Sequence, residues 1–247
     1  MALPPTGPSA LRATIDSVTG NPSQRDDHTS RAELLQASPP IFRSGTLDRL
    51  TRVHPVVPPL VFGPAIVALA GLAVVDHMAL SRVLVAFLAG WLFWTFCEYW
   101  THRTVFHFEP ERGLGARLHW MVHGVHHDHP NDPLRLVLPP AVSIPLGAAF
   151  LGIFLLVLGE RSGSAVCAGF YSGYLVYDML HFALHHHRPK TRIFRLLHQL
   201  HMRHHFEDEH RGFGVSAPWW DLVFGTYSAR ARTPRSQADS PGSQRRN

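Results

Sequence analysis

Hydrophobic residues form four long runs in this chain, separated by shorter polar segments. The runs cover residues 56–75, 83–100, 137–158 and 165–181, and few charged residues interrupt them. Each run approaches the roughly 20 residues that a helix needs to cross the hydrocarbon core of a bilayer. Buried helices of a soluble protein are the alternative, but four runs with so little internal charge favour a membrane. The pattern predicts an all-α integral membrane protein with four transmembrane helices.

Polar segments without a sustained apolar period lie on both sides of this region. Residues 1–50 and 229–247 are rich in Pro, Ser, Gln and charged residues. Such segments cannot bury enough apolar surface to offset the entropy lost on ordering, so both are predicted to be disordered tails. One domain is expected between them, over residues 51–228, with its polar parts forming a helical cap on the spans.

Lys and Arg indicate the orientation of the spans, because they are retained near the cytoplasmic ends of transmembrane helices. They are concentrated before span one, between spans two and three, and after span four: Arg43, Arg49, Arg52, Arg103, Arg112, Arg117, Arg135, Arg188, Lys190, Arg192, Arg195 and Arg203. The other two links hold only Arg82 and Arg161. We therefore expect both termini and the cap in the cytoplasm, at the inner membrane of a bacterium or the endoplasmic reticulum of a eukaryote.

The overall charge does not point to a nucleic acid. The formal net charge is +5, but the basic residues lie beside apolar runs and not in a stripe interleaved with aromatic residues. A membrane surface accounts for them better, so no nucleic-acid partner is expected. Cys97 and Cys167 lie inside apolar runs, where a thiol packs as a small hydrophobe, and no disulfide is expected.

Histidine is the unusual component of the composition. There are 19 histidines against 18 Asp plus Glu, and 16 of them fall between His102 and His210. All of these except His210 form four groups at the predicted cytoplasmic ends of spans two and four and in the segments that follow: HRTVFH, HWMVHGVHHDH, HFALHHH and HQLHMRHH. The predicted topology therefore places all four groups on one side of the bilayer.

The spacing within these groups is suited to metal binding. Residues three or four apart share a helix face, close enough for two imidazoles to reach one ion. This spacing occurs in His123 with His126 and His127, in His201 with His204 and His205, and in His181 with His185. Adjacent rings diverge by about 100° around a helix, so neighbours such as His126 and His127 can serve different ions. Two metal ions are therefore predicted.

The pair His102 and His107 is ambiguous. A step of five does not stay on one face of an ideal α-helix, so these rings either address separate ions or span a helix end. The type of metal is better defined, because imidazoles almost without carboxylates suit iron or zinc and not calcium or magnesium. A structural zinc site usually recruits cysteine, which is absent from these groups.

At these residues the sequence resembles the fatty acid hydroxylase superfamily, and within it the fatty acid 2-hydroxylases. The match runs over about residues 98–226 and includes three further segments: NDPLRLVLPP at 131–140, YDMLHFALHH at 177–186 and RGFGVSAPWWDLVFGT at 211–226. The histidine motif alone would also allow a sterol, carotenoid or alkyl-ether oxidase of the superfamily. The RLVLPP and GFGVS segments favour the acyl hydroxylases.

The resemblance implies a dinuclear iron centre that can also accept zinc, with O2 as co-substrate. It carries the metal ligands over to His102, His107, His123, His126, His127, His181, His185, His201, His204 and His205. The implied reaction hydroxylates C2 of a long acyl chain in the membrane and uses two external electrons. Eukaryotic relatives have an N-terminal haem-binding cytochrome domain, for which about 50 residues are too few. Electrons are therefore expected from a separate protein.

Other polar residues are expected to support the site. Glu98 and Asp178 precede His102 and His181 by about one helical turn, so each can accept the free N–H of a ligating ring. Asp221 is a weaker candidate for the same role, and His119 lies one turn before His123. Arg135 and Arg211 are expected to meet a polar lipid headgroup.

A metal transporter and an inactive membrane scaffold are the alternatives from other classes. Transport requires polar ligands near the bilayer midplane, whereas these spans are nearly free of them. An inactive scaffold would not require histidine at the ten ligand positions, yet all ten are histidine.

Overall fold

A computed structural model describes residues 30–75, 78–108, 110 and 112–228. Every regular element in these residues is helical: α1 Arg31–Gln36, α2 Gly45–Leu50, α3 Val57–Val75, α4 Leu80–Thr101, α5 Gly113–His119, α6 Val125–Asp128, α7 Pro140–His186, α8 Arg192–Phe206 and α9 Trp219–Val223. Two π-helical turns complete the set, π1 at His102–Phe106 directly after α4 and π2 at Trp120–Gly124 between α5 and α6. The predicted all-α architecture is confirmed.

Three helices are long and apolar enough to cross a membrane: Val57–Val75, Leu80–Phe106 and Pro140–His186. Many of their apolar side chains point away from the protein, among them Val67 at 73% and Leu156 at 86% exposed. So much outward apolar surface is unfavourable in water and favourable against lipid chains. The protein is therefore an integral membrane protein.

The third and fourth predicted spans, 137–158 and 165–181, both fall within α7. The backbone is not helical at Gly159, where φ is 74° and ψ is 170°, a conformation that glycine tolerates because it has no Cβ. The chain doubles back there, since the Tyr171 hydroxyl donates to the Gly147 carbonyl over 2.7 Å. A straight helix would hold these residues about 36 Å apart. The expected break is therefore a reversal between two helical arms of α7.

The helices α4 and α7 approach each other closely at two glycines. A Cβ on Gly169 would lie 1.8 Å from the Phe87 carbonyl oxygen, and one on Gly90 would lie 1.9 Å from the Val166 carbonyl oxygen. Small residues permit such backbone contact between membrane helices, where dispersion forces drive association. This contact places the end of α4 beside the end of α7, so the histidines that follow α4 lie near those in the last turns of α7.

The N-terminal boundary of the ordered domain differs from the prediction. Residues 30–50 were expected to belong to a disordered tail, but they form α1 and α2. Ser30 and Glu33 form a reciprocal cap at the start of α1, which satisfies free N–H groups there. The ordered domain therefore begins before position 50. The remaining tail predictions, for residues 1–29 and 229–247, lie outside the described residues.

A buried ion pair attaches this N-terminal segment to the loop after α6. The Arg135 guanidinium donates to Asp48 Oδ1 over 3.0 Å, to the Pro39 carbonyl over 2.8 Å and to Thr51 Oγ1 over 3.0 Å. Burial raises the pKa of Asp48, but the hydrogen bonds that its carboxylate accepts outweigh this and lower the pKa to about 2. The predicted contact of Arg135 with a lipid headgroup is therefore corrected, because its donors are turned inward.

Candidate metal centre

The structure brings the ten predicted ligand histidines together in two groups of five. Cluster A consists of His102, His107, His123, His127 and His204, and cluster B consists of His126, His181, His185, His201 and His205. Within each cluster, one ring nitrogen from every histidine lies within 4.8 Å of the others. The rings come from π1 and the residue after it, from π2 and α6, from the end of α7 and from α8.

Helical spacing distributes the rings between the clusters. His123 and His127 are four residues apart and share cluster A, whereas His126 between them belongs to cluster B. The same rule holds in α8, where His201 and His205 share cluster B and His204 joins cluster A. Positions i+3 and i+4 rotate about 60° and 40° from position i in opposite directions. The i+4 pairs therefore stay together, and the expected divergence of adjacent rings is what separates the clusters.

The π1 turn resolves the ambiguous pair. The His107 N–H donates to the His102 carbonyl over 3.1 Å, which is the i to i+5 hydrogen bond of a π-helix. This wider turn aligns residues five apart, and both rings enter cluster A. Their Nε2 atoms each lie 3.2 Å from His123 Nε2. The two rings therefore address one site.

The distances within the clusters fit metal ions. His107 and His204 have their Nε2 atoms 3.0 Å apart in cluster A, and His185 and His201 have theirs 2.8 Å apart in cluster B. Two nitrogen ligands at right angles, each about 2.1 Å from one ion, would lie about 3 Å apart. No carboxylate belongs to either cluster as the described residues define them. Both clusters can therefore hold a metal that prefers imidazole.

The protonation state of the rings also fits. Burial and nearby imidazoles lower the pKa of His107 to about 3 and that of His127 to about 2. Burial likewise lowers the pKa of His204 to about 4, although its hydrogen bond to the Arg211 carbonyl opposes the shift. These rings are neutral at physiological pH and keep the lone pair that a metal ion requires.

Backbone carbonyls, and not the predicted carboxylates, hold the outer nitrogens of two rings in cluster A. His102 donates from Nδ1 to the Phe213 carbonyl over 2.7 Å, and His204 donates from Nδ1 to the Arg211 carbonyl over 2.8 Å. Because Nδ1 carries the proton in both rings, Nε2 is free to face the cluster. The sequence marked this segment through its RGFGVS motif, but no local spacing indicated that its carbonyls would be the acceptors.

Glu98 and Asp178 do not have the contacts expected of them. Glu98 accepts the backbone N–H of Ser216 over 2.7 Å and also the Ser216 hydroxyl. Asp178 accepts the Tyr174 hydroxyl over 3.0 Å. Both carboxylates are buried, and each bonds to a group other than the ring one turn further along its helix. The prediction that they would accept a ring N–H is therefore corrected.

Asp221 supports cluster A indirectly. Its carboxylate accepts the backbone N–H groups of Phe213 and Gly214 over 2.9 and 2.8 Å, and the Thr226 hydroxyl over 2.8 Å. These bonds shape the loop whose Phe213 carbonyl faces His102. The acidic group therefore acts through the backbone instead of contacting a ring.

The two other predicted residues lie at the edge of the site. His119 belongs to neither cluster in the described residues. The Arg211 side chain is 52% exposed and pairs with Asp208 at 3.4 Å, so it remains available to a polar group outside the protein. Its backbone carbonyl has the closer link to the site, through His204.

Comparison with known proteins agrees with this geometry. A family model described as fatty acid hydroxylase matches residues 87–226. The chain belongs to the fatty acid hydroxylase family, which confirms the resemblance. Dihydroceramide fatty acyl 2-hydroxylase FAH1 of Arabidopsis thaliana is 33% identical over 81% of this chain and 84% of its own length.

Two further relatives widen the comparison. Ceramide very long chain fatty acid hydroxylase SCS7 of Saccharomyces cerevisiae is 36% identical over 78% of this chain and 50% of its own length. Fatty acid 2-hydroxylase of Mus musculus is 41% identical over 61% of this chain and 41% of its own length. A solved structure of full-length scs7p, with only the hydroxylase domain visible, superposes with a TM-score of 0.71 and 34% identity, covering 82% of this chain and 74% of that one.

Proposed function

We propose that this fatty acid hydroxylase places a hydroxyl group on C2 of a long acyl chain, in a free fatty acid or in the N-acyl chain of a sphingolipid. The observation that carries the proposal is the pair of five-histidine clusters that α4 and α7 hold at their ends. The relatives whose names specify 2-hydroxylation of fatty acyl groups support this position on the chain. O2 is the co-substrate, and a separate protein supplies two electrons.

Cluster A holds one iron ion in this proposal and cluster B holds the other, through the Nε2 atoms of the ten histidines. The bound ions supply the activation of O2. The protein supplies the ligand geometry and an environment with little water, in which Phe106 stacks on His123 and Tyr177 stacks on His181 at centroid distances of 4.9 and 5.7 Å. Zinc can occupy the same imidazole sites.

The membrane arrangement that suits this reaction has four crossings, formed by α3, α4 and the two arms of α7. The reversal at Gly159 returns α7 to the side where α4 ends, so His102 and His181 meet at one surface of the bilayer. We place that surface and both termini in the cytoplasm, as the Arg and Lys distribution indicates. A lipid substrate can then keep its tail in the membrane while one C–H bond is held at the site.

Product analysis tests the proposal. Purified protein loaded with iron is given a reductant, O2 and either a long-chain fatty acid or a ceramide, and the products are identified by mass spectrometry. We expect the 2-hydroxy product from the wild type and none from His185→Ala. The matched control is His187→Ala, which changes an exposed histidine outside both clusters. A desaturated chain, or oxidation only of an added sterol or carotenoid, would contradict the assignment.

A further inference from the structure

The two clusters differ in how the protein holds the outer nitrogens of their rings. In cluster A, His102 and His204 donate to backbone carbonyls over 2.7 and 2.8 Å. In cluster B, the Nδ1 atoms of His181, His201 and His205 are buried and have no hydrogen-bond partner within the described part of the chain. The orientation of cluster A therefore depends on a structure that cluster B does not share.

That structure is the segment 211–216, which we call the carbonyl loop. It contributes both acceptors, Arg211 and Phe213, and the Phe213 ring packs near three rings of cluster A, with centroids 5.7 Å from His102, 5.5 Å from His107 and 5.9 Å from His204. All the histidines that this ring approaches belong to cluster A among the described contacts. The loop is thus a support for one cluster.

Asp221 gives the carbonyl loop its shape. Its two oxygens accept successive backbone N–H groups, from Phe213 and Gly214, which turns the intervening carbonyl of Phe213 toward His102. The loop is tight at this point, because a Cβ on Gly214 would lie 2.4 Å from the Ala217 carbonyl oxygen and 2.9 Å from Asp221 Oδ2. No other side chain could replace glycine there without moving the loop.

The loop is also fastened to α4, the helix that leads to His102. Glu98 accepts from Ser216, the Tyr99 hydroxyl lies 2.9 Å from Thr226 Oγ1, and Trp220 Nε1 donates to Thr95 Oγ1 over 3.1 Å. These contacts come from about one turn of α4, and their partners are Ser216 in the carbonyl loop and Trp220 and Thr226 in the segment that follows it. The carbonyl loop and the segment after it are therefore attached to the helix that leads to the first ring of cluster A.

We propose that Asp221 is a positioning residue for cluster A alone. It acts on the Phe213 carbonyl directly and on the Arg211 carbonyl through Thr226, which donates to Asp221 and accepts the Gly212 N–H over 2.9 Å, and so fixes two rings for metal binding. The inference rests on the proposed metal-dependent function. Partners that orient metal-bound histidines typically change metal affinity by about 10- to 100-fold when they are altered. Loss of the Asp221 carboxylate is expected to weaken cluster A to that extent and to leave cluster B unchanged.

The test counts metal ions in the full-length protein with zinc as the probe. Asp221→Asn keeps the size of the side chain but replaces one acceptor oxygen by an amide donor, which opposes a backbone N–H. We expect two zinc ions per wild-type chain and one in the variant after dialysis against a competing chelator. The matched control is Asp178→Asn, because Asp178 is also buried but bonds to Tyr174, and it should keep both ions.

Histidine footprinting identifies which ion is lost. Diethyl pyrocarbonate modifies accessible neutral imidazoles, and peptide mass spectrometry locates the modified residues. In zinc-treated Asp221→Asn we expect modification of His107 and His127, the partly exposed rings of cluster A, and protection of His185 and His205, the partly exposed rings of cluster B. Equal exposure of both clusters, or exposure of cluster B only, would overturn the proposal. A general loss of folding would produce equal exposure and would not produce selective exposure.

A milder variant decides the question if Asp221→Asn does not fold. Thr226→Val removes the hydroxyl that donates to Asp221 and contacts Tyr99, and it leaves both loop N–H contacts in place. It should weaken zinc binding at cluster A relative to the wild type and leave cluster B unchanged. Two zinc ions with wild-type chelator resistance in every variant that folds would overturn the inference. A wild type that binds no metal would instead overturn the proposed function.

Discussion

Cluster A and cluster B contain the same chemical groups, five imidazoles each, yet they are built differently. Cluster A gathers rings from π1, from π2 with α6, and from α8, and a loop about a hundred residues distant from π1 supplies its outer hydrogen bonds. Cluster B gathers rings from α6, α7 and α8, with i, i+4 pairs on the latter two helices. The comparison shows that one local histidine motif can supply ligands to two sites, and that different parts of the protein hold the ligands of each site in place.

The largest expected effect comes from removing one ring from each cluster. His123→Ala should abolish product formation through cluster A, and His201→Ala should do so through cluster B, because the proposed reaction needs both ions. Each variant should retain the ion of the intact cluster, measured by metal analysis after purification. Retention of hydroxylase activity by either variant would contradict the equal need for the two clusters.

The Asp48–Arg135 pair should affect both clusters alike. It attaches the N-terminal segment to the loop after α6, and α6 carries His126 and His127, one for each cluster. Asp48→Asn removes the charge of one of the two carboxylates beside the buried guanidinium, with Asp132 remaining at 3.4 Å, and should lower the free energy of unfolding by about 2 kcal/mol. Thermal denaturation in detergent measures this change. Selective loss of one metal ion would show that the segment supports a single cluster.

Lowering the pH should affect the two clusters differently, but this effect should be smaller than that of the substitutions above. Burial lowers the pKa values of His107, His127 and His204 below the ordinary value near 6.5, to about 3, about 2 and about 4. The unfolded chain then binds more protons, so this contribution to stability is complete above about pH 6.5 and decreases as pH falls toward the folded values.

Metal release follows the same direction because protons compete for the ring nitrogens. We expect release in two steps below about pH 6.5, with cluster B first. Three of its rings have buried Nδ1 atoms without a hydrogen-bond partner in the described residues, whereas two rings of cluster A donate to carbonyls. Zinc release against a colorimetric chelator measures the steps in wild type and in His201→Ala, which should show only the later one. A single step in the wild type would contradict the difference between the clusters.

The smallest effect should come from Ser216→Ala. This change removes the hydroxyl bond to Glu98 but leaves the backbone N–H bond that also holds the carbonyl loop. We expect the free energy of zinc binding at cluster A to become about 1 kcal/mol less favourable, which corresponds to roughly fivefold weaker binding. The matched control is Ser172→Ala, whose hydroxyl bonds to the Ala168 carbonyl of its own helix. Competition with a graded chelator series resolves a difference of this size.

Local patterns were sufficient for much of the site. The four apolar runs predicted the helices, although the two later runs proved to be arms of one helical segment that reverses at Gly159. Histidine spacing indicated two groups, because rotation around a helix depends only on neighbours in the chain. The polar composition of residues 1–50 predicted a disordered tail, but two short helices lie within it. The reciprocal cap formed by Ser30 and Glu33 is a local signal for the first of these helices.

The sequence by itself determined that this is a helical membrane protein with an imidazole-rich site of the fatty acid hydroxylase type. The length of apolar runs, the placement of charges and the spacing of residues are local properties, so they can be evaluated without knowledge of the fold. Only the tertiary structure decided that His102 and His107 share a cluster and that the Phe213 carbonyl, not Glu98, accepts the His102 ring proton. Those outcomes depend on a π-helical turn and on a contact between residues 111 positions apart, which no local pattern specifies.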